Sequence, residues 1–190
     1  MKQMVAVLVI VTLVSGIVLA TVYTSLIPKI RENQRLATER SLGALFSEER
    51  NPEFEQVTAE GTTIYRAHSG DGDLLGYAVR VVTTGYGGEI QLLVGISPDN
   101  ESVLGIQVVE HIETPGLGGR ITEPAFSEQF EGLDATREIE YVKNAEPDKA
   151  ANEIAAISGA TISSSAVVSG MNDALDGILQ NLPEAGEETP

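Results

Sequence analysis

The residues best suited to chemistry stand late in the chain. Ser158-Gly159-Ala160-Thr161 leads into the hydroxyl cluster Ser163, Ser164 and Ser165, where an amphipathic pattern begins. Small residues let a backbone approach a ligand closely. A helix that starts here offers free N–H donors and the positive end of its dipole, so a phosphate group fits at that point. The same residues also suit plain helix capping, in which a Ser or Thr oxygen accepts from the unpaired amides. No Gly-Lys-Ser/Thr follows, so the segment is not a Walker loop.

Two further stretches carry the same ambiguity between turn and binding loop. Glu113-Thr114-Pro115-Gly116-Leu117-Gly118 follows a strand-like run directly. Pro and Gly are expected in a turn there, yet loops held by a rigid sheet are also where ligands bind. Gly85-Tyr86-Gly87-Gly88 reads either as a hairpin loop or as a thin backbone wall against a planar ligand. Neither is a dinucleotide G-x-G-x-x-G turn. His111 and Glu113 are two apart, which on a strand puts them on one side. Two ligands are too few for a metal site, so no metal is assigned. His68 reads as a surface residue. No acid, base or nucleophile is spaced for catalysis, so no catalytic residue is named.

The elements that must position these segments are legible from alternation and breakers. Thr62–Ala67, Leu75–Thr84, Glu89–Ser97 and Ser102–His111 read as strands with tight connections. Consecutive strands joined so briefly imply an antiparallel meander. Glu123–Phe130 reads as a short helix and Glu138–Val142 as a strand. From Ser163 to Leu182 the apolar residues Ala166, Val167, Met171, Ala174, Leu175 and Ile178 recur at helical spacing, and Pro183 stops the pattern. The fold class is α+β: an antiparallel sheet with packed helices, preceded by one transmembrane helix.

Met4 to Ile27 is an uncharged run of 24 residues. As a helix it reaches roughly 36 Å, enough for a hydrocarbon core of about 30 Å. It is longer than the apolar stretch of a cleavable signal peptide. Pro28 marks the exit, and residues 29–52 continue as a charged juxtamembrane helix or linker. Residues 53–182 form the folded domain and 183–190 an acidic, disordered tail. Lys and Arg are counted mostly after the span, which by itself places the domain in the cytoplasm.

Net charge is −16, and residues 29–190 hold 11 basic against 28 acidic side chains. A surface this anionic repels phosphate backbones, so nucleic acid is excluded as a partner. There is no cysteine. Disulfides, zinc–thiolate sites, thiol nucleophiles and Cys-ligated iron–sulfur clusters are therefore excluded in this chain.

In order, the N-terminal span, Gly85-Tyr86-Gly87-Gly88, Glu113-Thr114-Pro115-Gly116-Leu117-Gly118 and Ser158-Gly159-Ala160-Thr161-Ile162-Ser163-Ser164 resemble the G subunit of the Rnf electron-transport complex. The C subunit of the sodium-pumping NADH:quinone reductase is the related family. The resemblance implies an FMN-binding domain with FMN joined through its phosphate to Thr161, installed by a separate flavin transferase. That enzyme's usual target has Asp three residues before the Ser; here the position is Ala155. The resemblance also implies a single-pass protein of the cell's inner membrane, in contact with lipid and with the other membrane and peripheral subunits of the complex. Its FMN domain stands on the extracytoplasmic side, against the Lys/Arg count. Such a protein relays electrons in a complex that couples ferredoxin:NAD⁺ electron transfer to Na⁺ or H⁺ movement.

Two other readings differ from this one. The first is the equivalent FMN-carrying protein of the quinone reductase. The second is a pilin-like anchored structural protein without a flavin. Pilins carry a processing site before the apolar run and an early Glu within it, and neither is present here.

Overall fold

The computed structural model describes residues 2–47, 52–59 and 62–179. The expected acidic tail at 183–190 lies outside the described residues, as do 48–51 and 180–182. Helix α1 spans Lys2–Leu45. Its first part forms one compact unit, Met1–Glu39, and the rest of the chain forms another from Arg40 onward. Residues 2–26 of α1 are exposed and apolar almost throughout. A helix apolar on every face for this length is suited to lipid. Thr12, Thr21, Thr24 and Ser25 donate their hydroxyls to carbonyls one turn back, which keeps those polar groups satisfied inside a bilayer. Pro28 stands within the helix and does not end it. Beyond it, Arg35 pairs with Glu32 at 2.8 Å and with Glu39 on the next turn.

The head is built on a five-stranded sheet, β1 (Glu53–Ala59), β2 (Thr62–His68), β3 (Leu74–Thr84), β4 (Glu89–Ile96) and β5 (Val103–His111). The strands pair in chain order and every pairing is antiparallel. This is the meander expected from the sequence, with β1 added. Alternation sets the two faces. Val79, Val81, Leu92, Val94 and Ile106 belong to one buried cluster, while Ala78 and Leu93 belong to another with Tyr65 and Ala67. The second cluster is closed by Leu42 and Phe46 at the end of α1. β4 therefore loses both faces to packing, which explains its nearly continuous apolar run.

The first face is covered by the remainder of the chain. A 3-10 turn at Gly118–Thr122, helix α2 (Pro124–Ser127) and a second 3-10 turn at Glu128–Phe130 bring Ile121, Phe126 and Phe130 into the core. The rings of Phe126 and Phe130 meet edge to face, 5.4 Å apart. Two short parallel strands follow, β6 (Glu140–Val142) and β7 (Glu153–Ala155). Buried Asn152, at φ +66°, donates to the carbonyls of Asp134, Arg137 and Glu138 and accepts from the Asp134 amide. Helix α3 (Thr161–Leu179) then lies against β3. A Cβ on Gly170 would come within 2.9 Å of Thr83, so glycine permits the close crossing. Thr83 donates its hydroxyl to the Ala166 carbonyl at 3.1 Å across that contact.

Candidate functional site

Thr161 is the first residue of α3, two residues before the expected start of that helix. Gly159 reaches it through the left-handed region, at φ +81°. The turn is fixed from beneath by Ser164. Its buried hydroxyl accepts from the Ile157 amide at 3.0 Å and donates to the Ala160 carbonyl at 3.1 Å. Ser164 thus ties the turn before the helix to its first turn and leaves the first amides of α3 uncapped. Ser158 and Gly159 are exposed, Ala160 is buried, and Thr161 is half-buried. Among the described residues, neither the Thr161 hydroxyl nor the amides of Thr161, Ile162 and Ser163 have a hydrogen-bond partner. That leaves one free hydroxyl at the edge of three unpaired donors, which is the chemistry a phosphoryl group takes at a helix N-terminus.

The two glycine-rich loops meet this turn through one side chain. Glu113 is 5% exposed. Its Oε1 accepts from the Gly87 amide and its Oε2 from the Ser163 hydroxyl, both at 2.8 Å. The carboxylate fills the space where Gly85 and Gly118 lack a side chain. A Cβ on either glycine would overlap it, and on Gly118 would also stand 2.5 Å from Ser163 Oγ. Gly87 is pressed against Ile112, whose carbonyl would lie 2.6 Å from a Cβ there. Three of the expected binding glycines are therefore occupied by the protein itself. The sequence does not show this support, because the partner of Gly87 lies 26 residues away.

The strand-face pairing of His111 with Glu113 is also revised. β5 ends at His111, so the alternation rule does not extend to Glu113. His111 Nδ1 instead accepts from the Glu113 amide at 3.1 Å. His68 closes β2, with Nδ1 3.4 Å from the Gly72 carbonyl.

The second loop turns outward. The amides of Leu117 and Gly119 both donate to the Thr114 carbonyl, at 3.2 and 3.0 Å. Thr114, Pro115, Gly116 and Leu117 are exposed, Gly88 is half-buried, and Gly118 is buried. Leu117 Cδ2 would stand 3.7 Å from a Cβ on Gly159, so the loop reaches the turn before Thr161. Among described residues after the α1 helix, the exposed large apolar side chains are Val82, Tyr86, Ile112, Leu117 and Ile162. They fall at the ends of β3 and β5, in the two loops and in the first turn of α3. Of these, Leu117 approaches the turn before Thr161 and Ile112 lies over Gly88, so apolar surface is exposed beside both loops. Ile112 and Ile162 join the expected residues; each adjoins a motif, but its exposure is visible only in the structure. A groove of about 510 Å³ runs on from Ile162, lined by Thr83, Tyr141, Ser165, Ser169 and Asn172.

Known proteins resemble this chain over the segments that build the site. The FMN-binding domain family matches residues 85–176, which include both loops and Thr161. The G subunit of an ion-translocating oxidoreductase complex of Methanosarcina acetivorans is 33% identical over 92% of each chain. The G subunit of a proton-translocating ferredoxin:NAD(+) oxidoreductase complex of Clostridium ljungdahlii is 32% identical over 86% of this chain and 83% of its own. The crystal structure of the C subunit of Na(+)-translocating NADH-quinone reductase from Parabacteroides distasonis matches the fold with a TM-score of 0.61. It is 18% identical and covers 80% of this chain and 94% of that one. The chain is a membrane-anchored flavoprotein with an FMN-binding domain, and it belongs to the G-subunit family of the Rnf-type ion-translocating oxidoreductase complexes.

Proposed function

We propose that the chain carries FMN as a phosphoester on the Thr161 hydroxyl and relays electrons between neighbouring redox centres of a ferredoxin:NAD⁺ oxidoreductase that moves Na⁺ or H⁺. One observation carries the attachment site: a hydroxyl free of internal partners opens a 19-residue helix whose first amides are also free. The residues present fit the group. A phosphodiester retains one negative charge, and the helix end stabilises it by roughly 0.3–1 kcal/mol, more where partly buried. Leu117, Tyr86 and Ile162 are exposed apolar surface of the kind that packs against a planar ring.

The flavin supplies the redox chemistry when bound. The chain supplies position and field. Ser164 holds the attachment turn, Gly159 gives it the required backbone, and the 113–118 loop limits where a tethered ring can go. A covalent tether also keeps the cofactor on the protein where free FMN is scarce.

The remaining assignments rest on the family. A flavin transferase installs the group, reading the intact Ser158–Thr161 segment despite Ala155. Residues 1–28 anchor the chain in the cytoplasmic membrane, 29–52 lead to the FMN domain at 53–182, and that domain faces away from the cytoplasm. The juxtamembrane segment is mixed in charge, with Arg35 braced by Glu32 and Glu39, and the family is followed over the Lys/Arg count. Lipid and the other proteins of the complex are the anchor's partners.

The test is a denaturing gel of the chain expressed with a flavin transferase and viewed under ultraviolet light. The wild-type band fluoresces and the Thr161→Val band is dark. An equally bright Thr161→Val band overturns the attachment site.

A further inference from the structure

Glu113 is a buried carboxylate that touches both loops and the start of α3. The partners it joins stand 26 residues before it and 50 residues after it, and among the described residues no other side chain links all three segments. Gly85 and Gly118 leave side-chain-free space that Glu113 fills. Its own backbone is fixed by the His111 Nδ1 acceptor. Its hydrogen-bond partners are the neutral Gly87 amide and Ser163 hydroxyl, and no ion pair involving it is present among the described residues. A carboxylate bound this way keeps its shape and its field fixed.

We infer that Glu113 is the positioning residue of the flavin cradle, acting as a carboxylate bridge that sets the Gly85–Gly88 loop and the Leu117 loop against the Thr161 turn. The inference rests on the FMN reading for what the cradle holds, and on the geometry alone for the bridge. Without the bridge the loops separate from α3, so a ring tethered at Thr161 loses its fixed surroundings. With the bridge kept but its charge removed, the surroundings stay and only the field changes. Ser163 lies two residues from the attachment point, so a negative charge bonded to its hydroxyl opposes adding electrons nearby.

The experiment uses the full chain in detergent, with and without coexpressed transferase. In the unloaded chain, hydrogen exchange at the Gly87 amide reads the bridge directly. Glu113→Ala accelerates that exchange while far-ultraviolet circular dichroism is retained, and Glu113→Gln leaves it slow, because the amide oxygen still accepts. A Glu113→Ala/Gly118→Ala pair is more stable than Gly118→Ala alone, since the overlapping carboxylate is gone. In the loaded chain, Glu113→Ala lowers the flavin's fluorescence anisotropy. Glu113→Gln keeps the anisotropy and raises the flavin midpoint potential, a shift that a merely structural role does not produce. Unchanged Gly87 exchange in Glu113→Ala overturns the bridge. If Glu113→Ala does not fold, an unchanged potential in Glu113→Gln overturns the role at the flavin. Should wild type carry no flavin at all, the FMN reading fails, while the unloaded measurements still decide the bridge.

Discussion

Leu117 reaches over Gly159: a Cβ on that glycine would stand 3.7 Å from Leu117 Cδ2. The contact joins two segments distant in the sequence, one after a strand and one before a helix. It leaves ordinary room for a methyl group. The need for glycine at 159 therefore comes from its backbone, at φ +81°, rather than from crowding.

Gly159→Ala then costs about 1–2 kcal/mol through the left-handed conformation alone. For a head of this size, each 1 kcal/mol lowers Tm by about 3–5 °C. Gly159→Asn costs less, because Asn tolerates that region. Thermal melts of the full chain in detergent, followed by near-ultraviolet circular dichroism, read the order wild type, Asn, Ala. An Ala variant as stable as wild type contradicts the backbone argument.

Ser164→Ala leaves the Ile157 amide unpaired in a buried turn. The expected loss is about 1–3 kcal/mol. The turn before Thr161 also loosens, so exchange at the Ile157 amide rises more than exchange in β4. Equal changes at both places would mean that the hydroxyl supports the whole fold and not the turn.

These segments were legible in unequal measure. β3, β4 and β5 each match the range expected from the sequence to within one residue at one end, because apolar alternation and Gly/Pro/Asn turns bound them. β1 does not stand out in the sequence. Its acidic Glu53 and Glu55 interrupt the apolar pattern, as suits an edge strand with one solvated side. Nor does β7 stand out there, and its parallel pairing with β6 depends on non-local contacts. The side-chain carbonyl of Gln129 accepts from the backbone N–H of Ala155 at 2.7 Å, and Asn152 fixes the chain just before. β6 lies inside the expected Glu138–Val142 strand, whereas the three residues of β7 show no alternation of their own. At the site, motif order located the segments, but Glu113's position beneath them was invisible. Its partners are distant in sequence, and the strand ends before it.

Asp134 provides a pH-dependent prediction. Hydrogen bonds from the Thr136 hydroxyl and then its amide hold the Asp134 carboxyl below its usual value. A lowered folded-state pKa contributes stability above the unfolded value, and that contribution is lost as pH falls through the folded one. The turn at 134–136 is therefore retained at neutral pH and loosens only in acid. A carboxyl titration followed by NMR shows Asp134 below a free aspartate in wild type and moved upward in Thr136→Ala. No movement in that variant contradicts the assignment of cause.

The central claim concerns one covalent bond, and intact-mass spectrometry reads it most directly. The chain is purified from cells that contain a flavin transferase, and its Thr161 peptide is sequenced by fragmentation. The account predicts wild type heavier than the bare chain by one riboflavin phosphate less one water, with the addition on Thr161, and Thr161→Val at bare mass. A wild-type chain at bare mass from such cells, or the addition on another residue, contradicts it.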